Sequence, residues 1–240
     1  MIVIPMAGAS RRFAEAGYDR PKYELMLDGR TVFAHAVGSF SACFADTPFL
    51  FIVGPTPGAA DFVARACAAL GVSEARIVAL DRMTAGQAET VELGLAACGA
   101  ADEAPLTIFN IDTFRPGFRF PDEPWAARSD GYLEVFRGAG ANWSYVRPAH
   151  GDEPRVVETA EKRPLSDLCC TGLYHFAAAG AFRRALDLER SAPQAAELYV
   201  APLYNHLIAA GARIHYRLIA PQEVIFCGTP AEYQALGGRG

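Results

Sequence analysis

The chain has 240 residues, 51% of them hydrophobic, and a formal net charge of −5, enough for one large domain with a substantial core. Its 22 Lys and Arg residues are scattered, which argues against a nucleic-acid groove, because such grooves concentrate positive charge. No apolar run reaches the roughly 18 residues of a membrane span, the apolar start lacks the basic flank of a signal peptide, and none of the six cysteines stands in a C-x-x-C spacing, so a cytoplasmic protein with buried, reduced thiols is expected.

The first element is the apolar strand 2–5, which runs into Met6-Ala7-Gly8-Ala9-Ser10-Arg11-Arg12-Phe13, with Pro21-Lys22 following. Small side chains let backbone N–H groups approach phosphate oxygens, and nearby cations neutralise the remaining charge. Ala7, Gly8, Ala9 and Ser10 are therefore candidates for cradling a triphosphate, with Arg12 and Lys22 on its charges. The P-loop pattern G-x-x-x-x-G-K-[ST] is absent. About 25 residues separate this strand from the next helix, longer than an ordinary βα loop, and the segment reads as an active-site lid.

Strands are predicted near 49–53, 75–80 and 105–110, alternating with helices near 31–44, 58–70 and 85–98. This βαβα order implies a parallel sheet with right-handed crossovers, and ligands bind beyond the carboxyl ends of such strands. Thr84 and Gln87 form a capping-box pattern at a helix start; Gln87 is also the candidate for contact with a nucleobase edge. Asp112 ends the apolar stretch Ile108-Phe109-Asn110-Ile111. It could hold a Mg²⁺, an ion that takes one or two protein carboxylates and otherwise substrate phosphates.

The second half is less regular. Residues 115–130 read as loop, with β-segments near 131–136, 143–147, 155–160 and 171–176. Helices near 178–190 and 197–210 precede strands near 213–219 and 223–227, and a short helix begins at Pro230. Glu161 and Lys162 close a charged segment in which the cation could receive an acceptor's phosphate and the carboxylate its hydroxyls. No linker divides the chain. It reads as a single domain over 1–240, with a nucleotide-binding half at 1–114 and an acceptor-binding half at 115–240. No zinc-ligand spacing of histidines and no Ser/His/Asp arrangement is present.

Taken in order, these segments resemble the sugar-phosphate nucleotidyltransferase family, the nucleoside-diphosphate-sugar pyrophosphorylases. Ala7-Gly8-Ala9-Ser10-Arg11-Arg12 and Pro21-Lys22 stand where the family has G-G-x-G-x-R and P-K. Asp112 matches its metal aspartate, and Glu161-Lys162 its acceptor motif. Thr171-Gly172-Leu173-Tyr174-His175-Phe176 is similar to its G-x-Y-x-F strand, which adds Gly172 to the acceptor candidates. Residues 197–205 and Gly228-Thr229-Pro230 look like its C-terminal segments. The chain departs from the pattern at Ala7 and Ser10, which replace loop glycines, and at Ile225-Phe226-Cys227, where the family often carries a second metal aspartate.

The resemblance implies a GT-A-like, Rossmann-like α/β fold with a mixed, mostly parallel sheet flanked by helices. It implies an enzyme that joins CTP, UTP or dTTP to a phosphorylated sugar or sugar-like acceptor and releases pyrophosphate, with Mg²⁺ as cofactor, for surface-polysaccharide precursors. The partners expected are the nucleotide and a phosphorylated small molecule, with neither nucleic acid nor membrane; a homo-oligomer is compatible with this reading. A phosphate monoester, with its second pKa near ~6, needs no base to become a nucleophile, which suits a chain without a catalytic histidine. The alternatives are a GT-A glycosyltransferase using a nucleotide-sugar donor, and a nucleotide-binding homologue without turnover.

Overall fold

The computed structural model describes residues 1–238, and nine strands of the described chain form one mixed sheet. Contacts divide the chain into two compact units, each assembled from three stretches of sequence. One comprises Met1–Val3, Thr84–Ile108 and Phe120–Pro221; the other comprises Ile4–Met83, Phe109–Arg119 and the stretch from Gln222 onward. The strands Ile2–Met6 and Leu106–Phe109 contribute residues to both.

In the unit containing Phe120–Pro221, Ile2 and Val3 pair in parallel with Thr107 and Ile108. The longest strand, Leu168–Phe176, lies antiparallel to Gly131–Arg137, which pairs in parallel with Ile214–Ile219. Ser144–Pro148 pairs antiparallel with Val156–Glu161. The pairing of Leu168–Phe176 slips between Cys170 and Tyr174, where Gly172 takes φ +94°. That backbone conformation is open to glycine at little cost and marks a β-bulge. Helix Ala179–Ser191 buries Phe182, Ala185 and Leu186, and Tyr204 stacks on Phe176 with ring centroids 4.5 Å apart.

In the other unit, Phe49–Val53 is buried along its whole length and pairs in parallel with Ala75–Ala79. A fully buried strand reads as a continuous apolar run, as Phe49-Leu50-Phe51-Ile52-Val53 does. Helix Ala59–Leu70 is closed by Gly71 at φ +79°. The cluster of Phe33, Phe40, Phe49, Phe51 and Phe109 forms the core, with Phe40 and Phe109 in edge contact at 4.9 Å. Gly54 follows the buried strand, and a Cβ there would stand 2.8 Å from the carbonyl oxygen of Ala7. Only glycine lets these two stretches of backbone approach so closely.

Several boundaries differ from those predicted. The first predicted helix stops at Gly38 and gives way to a 3₁₀ turn, Ser41–Cys43. The long segment after the first strand carries a one-turn helix, Arg11–Glu15, a 3₁₀ turn, Lys22–Glu24, and a hairpin pairing Met26–Leu27 with Arg30–Thr31. The capping box expected at Thr84 is not formed. Gly86 is the N-cap of helix Gln87–Ala97, while the Thr84 hydroxyl donates to the Gly86 carbonyl at 3.2 Å. The Glu89 carboxylate instead receives the Ala85 N–H. The helix predicted over 197–210 starts only at Leu203. Pro202 disfavours helix in the residue before it, and the backbone of Leu198 is already bonded to Ala85 and Ala88. No helix among the described residues is long and apolar enough to cross a membrane.

His175 lies in the strand Leu168–Phe176, where its Nδ1 meets the Thr107 hydroxyl at 2.9 Å and its ring stacks on Tyr132 at 4.8 Å. Burial pushes its imidazole down to about 4. The unfolded chain therefore binds the extra proton first as pH falls. The stability conferred by the neutral ring is complete above about 6.5 and drains away between there and about 4. Urea unfolding across that range should show a loss of about 3 kcal/mol that a His175→Gln variant lacks. Equal pH slopes in the two proteins would remove His175 as the cause.

Candidate active site

The strand Ile2–Met6 delivers a loop of small residues. Ala7 is buried, Gly8 and Ala9 are exposed, and a Cβ on Gly8 would meet nothing within 4 Å. Ser10 adopts a left-handed conformation, φ 48° and ψ 33°, and its side chain caps nothing in the helix that follows. Its hydroxyl oxygen instead accepts the backbone N–H of Lys22 at 3.3 Å. That bond ties the small-residue loop to the start of the 3₁₀ turn Lys22–Glu24. The Lys22 ammonium then forms an ion pair with the carboxylate of Asp112, both side chains about one-fifth exposed. Arg12 stands exposed on the one-turn helix that begins after Ser10.

Asp112 is held from behind by the C-terminal segment. Cys227 donates its N–H to the Asp112 carbonyl at 2.8 Å, and Ile225–Phe226 pairs antiparallel with Thr113–Phe114. The next residue is Gly228, where a Cβ would stand 3.1 Å from an Asp112 carboxylate oxygen. The N–H groups of Gly228 and Thr229 both donate to Glu232 at 2.9 Å, and Thr229 accepts from the Glu232 N–H at 3.2 Å. With Pro230 in the first turn this is a full capping box. It anchors the Gly-Thr turn beside Asp112, so a helix start does the work of orienting the site.

The fit of a divalent cation can be judged from this donor set. Asp112 offers one carboxylate. Burial above all pushes the Cys227 thiol up to about 12, the Asp112 charge adding to this and Lys22 opposing it. A soft thiol is in any case a poor ligand for a hard cation that takes oxygen donors. Among the described residues no group of three or more His, Cys, Asp and Glu side chains could hold a metal ion. One carboxylate next to a loop of small residues fits Mg²⁺, which draws most of its oxygen ligands from phosphates and water. It would not fit an ion caged by protein alone.

The second group of candidates lies in the unit containing Phe120–Pro221. Glu161 ends the strand Val156–Glu161 and pairs with Ser144, whose hydroxyl donates to the Glu161 carboxylate. The Tyr174 hydroxyl lies 3.3 Å from that of Ser144. Burial raises the Glu161 carboxyl, opposed by the Ser144 bond and the Lys162 charge. Lys162 turns the chain at φ +54°, its N–H donating to the Trp143 carbonyl at 2.9 Å. Its ammonium donates to the Tyr199 hydroxyl at 2.9 Å and lies 3.9 Å from Glu161. Upstream on the strand, Asn205 accepts the Thr159 N–H at 2.7 Å and donates to the Thr159 carbonyl at 2.9 Å. Asn205 also reaches Gln194, which with His206 is bonded to the buried Glu189. A helix face thereby fixes the strand that presents Glu161 and Lys162.

Ser10, Lys22 and Asp112 are thus brought together from distant sequence, as are Glu161 and Lys162 with Tyr174, two residues beyond the Gly172 bulge. Gln87, at the start of its helix, falls in the unit with Glu161 rather than with the small-residue loop. The sequence alone gives no sign of Gly54 or Ser144, and it places Tyr199, Asn205 and Glu232 in recognisable segments, Tyr199 as one of the aromatics of an acceptor pocket, without assigning them these contacts. Of the contacts, only that of Glu232 carried a legible signal, as the fourth residue of Thr229-Pro230-Ala231-Glu232.

No protein-family model and no curated protein sequence matches the chain. Solved structures do. The crystal structure of the nucleoside-diphosphate-sugar pyrophosphorylase from Vibrio cholerae RC9 is 52% identical, covers 98% of this chain and 99% of its own, and superposes with a TM-score of 0.94. The inositol-1-phosphate CTP transferase from T. maritima, at 15% identity, covers 98% of this chain and 94% of its own with a TM-score of 0.75. A UTP-bound UGPase from Acinetobacter baumannii, at 13% identity, covers 98% and 90% with a TM-score of 0.71. These last two share the fold, whereas the Vibrio protein is near enough in sequence over nearly its whole length to settle kinship. The chain is a member of the sugar-phosphate nucleotidyltransferase family, the nucleoside-diphosphate-sugar pyrophosphorylases.

Proposed function

We propose that this chain is an EC 2.7.7-type nucleotidyltransferase. It joins CTP, UTP or dTTP to a phosphorylated sugar or sugar-like acceptor and releases pyrophosphate. The observation that carries the reading is the meeting of Lys22 with Asp112, 90 positions apart in sequence, at the loop tethered by Ser10. A cation and a carboxylate next to backbone amides without bulky side chains suit a triphosphate and its counter-ion. The kinship with the Vibrio pyrophosphorylase supports the same assignment.

In this reading an oxygen of the acceptor's phosphate attacks the α-phosphorus of the nucleotide. A new P–O bond forms, the bond to the β-phosphate oxygen breaks, and its electron pair leaves with pyrophosphate. The nucleophile is already largely ionised at neutral pH, with a second pKa near ~6, so no general base is required. The residues supply position and charge. Amides of Ala7, Gly8, Ala9 and Ser10 receive phosphate oxygens, and Arg12 stabilises the leaving pyrophosphate. Lys22 turns from Asp112 to the triphosphate when nucleotide arrives, and Asp112 would then hold Mg²⁺. Bound there, the ion supplies neutralisation of phosphate charge. Gln87 faces the base. Lys162 takes the acceptor phosphate and Glu161 its hydroxyls, at the strand shaped by Gly172. We further propose a single cytoplasmic domain, active alone or as a homo-oligomer, that feeds polysaccharide precursors.

Lys22→Ala and Asp112→Ala should each lower pyrophosphate release by about 10³-fold or more, assayed with CTP, UTP and dTTP against a panel of phosphorylated acceptors. Turnover near that of the parent would take the altered residue out of the mechanism. A Gly54→Ala change forces a methyl against the Ala7 carbonyl and so displaces the donor loop. Its KM for nucleotide should rise about tenfold while its KM for the acceptor stays put. A parallel rise in both constants would show that Gly54 serves the fold at large.

A further inference from the structure

We propose that Tyr199 is the positioning residue for the Lys162 ammonium, and that it sets the strength with which this enzyme holds the phosphate of its acceptor. The inference rests on the reading of Lys162 as the acceptor-phosphate cation. It adds the element that makes such a cation effective.

Lys162 needs external support. Its side chain is 51% exposed, and a flexible four-carbon stem in water holds no single direction. Its backbone is in the left-handed region at φ +54°, which fixes the root of the side chain and not its tip. Tyr199 supplies the missing constraint in two ways. Its hydroxyl accepts a hydrogen bond from Nζ at 2.9 Å, and Nζ lies 4.9 Å from the ring centroid. An ammonium has three donors. One is spent on the phenol, and the Glu161 carboxylate lies 3.9 Å away, beyond hydrogen-bond range. The remaining donors are left to an anion. The phenol also favours the charged form of Lys162, raising its pKa.

Tyr199 can do this because its own backbone is held. Leu198, its neighbour, donates its N–H to the Ala85 carbonyl at 3.1 Å and accepts the Ala88 N–H at 2.8 Å. The two stretches are so close that a Cβ on Gly86 would stand 2.5 Å from the Leu198 carbonyl oxygen. Tyr199 itself donates its N–H to the Glu197 carbonyl at 2.9 Å. The phenol therefore stands on a platform bonded to the start of helix Gln87–Ala97, while the lysine belongs to the turn after Val156–Glu161. Two elements distant in sequence meet at one ammonium.

The test uses the full chain and inorganic phosphate as the probe, titrated calorimetrically. Lys162→Ala defines the part of the binding that depends on this cation. Tyr199→Phe keeps the ring and removes the hydroxyl, and should weaken that part about three- to tenfold. Tyr199→Ala should weaken it further. The double variant Tyr199→Phe/Lys162→Ala should bind no more weakly than Lys162→Ala alone, as expected of residues acting through one group. A ¹³C titration of the lysine ε-carbons, with Lys162 identified by its loss in Lys162→Arg, should show a lower midpoint in Tyr199→Phe. A purely structural role would leave that midpoint unmoved. If Tyr199→Phe binds phosphate as the parent does while Lys162→Ala does not, the role of Tyr199 is refuted and the acceptor reading stands. If Lys162→Ala binds phosphate like the parent, the acceptor reading itself falls and this proposal with it.

Discussion

The small-residue loop after the first strand depends on an electrostatic bargain between Lys22 and Asp112. Neither charge is fully solvated, and each is tolerable in its half-buried place because the other is there. The pair also has a geometric effect. Asp112 is bonded through its carbonyl to Cys227, and Lys22 through its N–H to Ser10. One ion pair therefore links the small-residue loop, the end of a buried strand and the C-terminal turn. A ligand that offers phosphate to the ammonium and a cation to the carboxylate replaces each partner with one of the same sign. The site can then change occupants without leaving a charge stranded in a poorly hydrated place.

Most of the fold was legible because buried strands and amphipathic helices write their period into the sequence. Phe49–Val53 is apolar throughout because both faces are covered, and Ala59–Leu70 ends at the glycine that closes it. Two of the misplaced boundaries, at the starts of helices Gln87–Ala97 and Leu203–Ala209, share a cause. At both, the backbone of Leu198 is bonded to Ala85 and Ala88 rather than along a helix of its own. Bonds of that kind join positions more than a hundred residues apart and leave no periodic trace. Gly86 and Pro202 weaken helix locally in these stretches, and the pairing with Leu198 fixes where each helix starts.

The site divides along the same line. Lys22, Asp112, Glu161 and Lys162 could be singled out because charge at a strand end or after a small-residue loop is chemically conspicuous. The residues that aim them could not. Ser144 and Asn205 carry common polar side chains whose importance comes only from what they face, Glu161 in one case and Thr159 in the other. Tyr199 sits among ordinary apolar neighbours, and nothing in Glu197-Leu198-Tyr199-Val200 announces a partner at Lys162. Gly172 was singled out as a ligand contact, and its φ of +94° gives it a concrete structural task in the strand.

The close approach of Gly86 to Leu198 carries a cost for anyone wishing to retune this protein. The loop ahead of Gln87 and the segment bearing Tyr199 share backbone bonds, so they move as one piece. Redesigning the first would shift the second, and a library built on either stretch alone would be full of variants spoiled at the far end. Altered preferences are better sought by varying the two stretches jointly while leaving that glycine untouched.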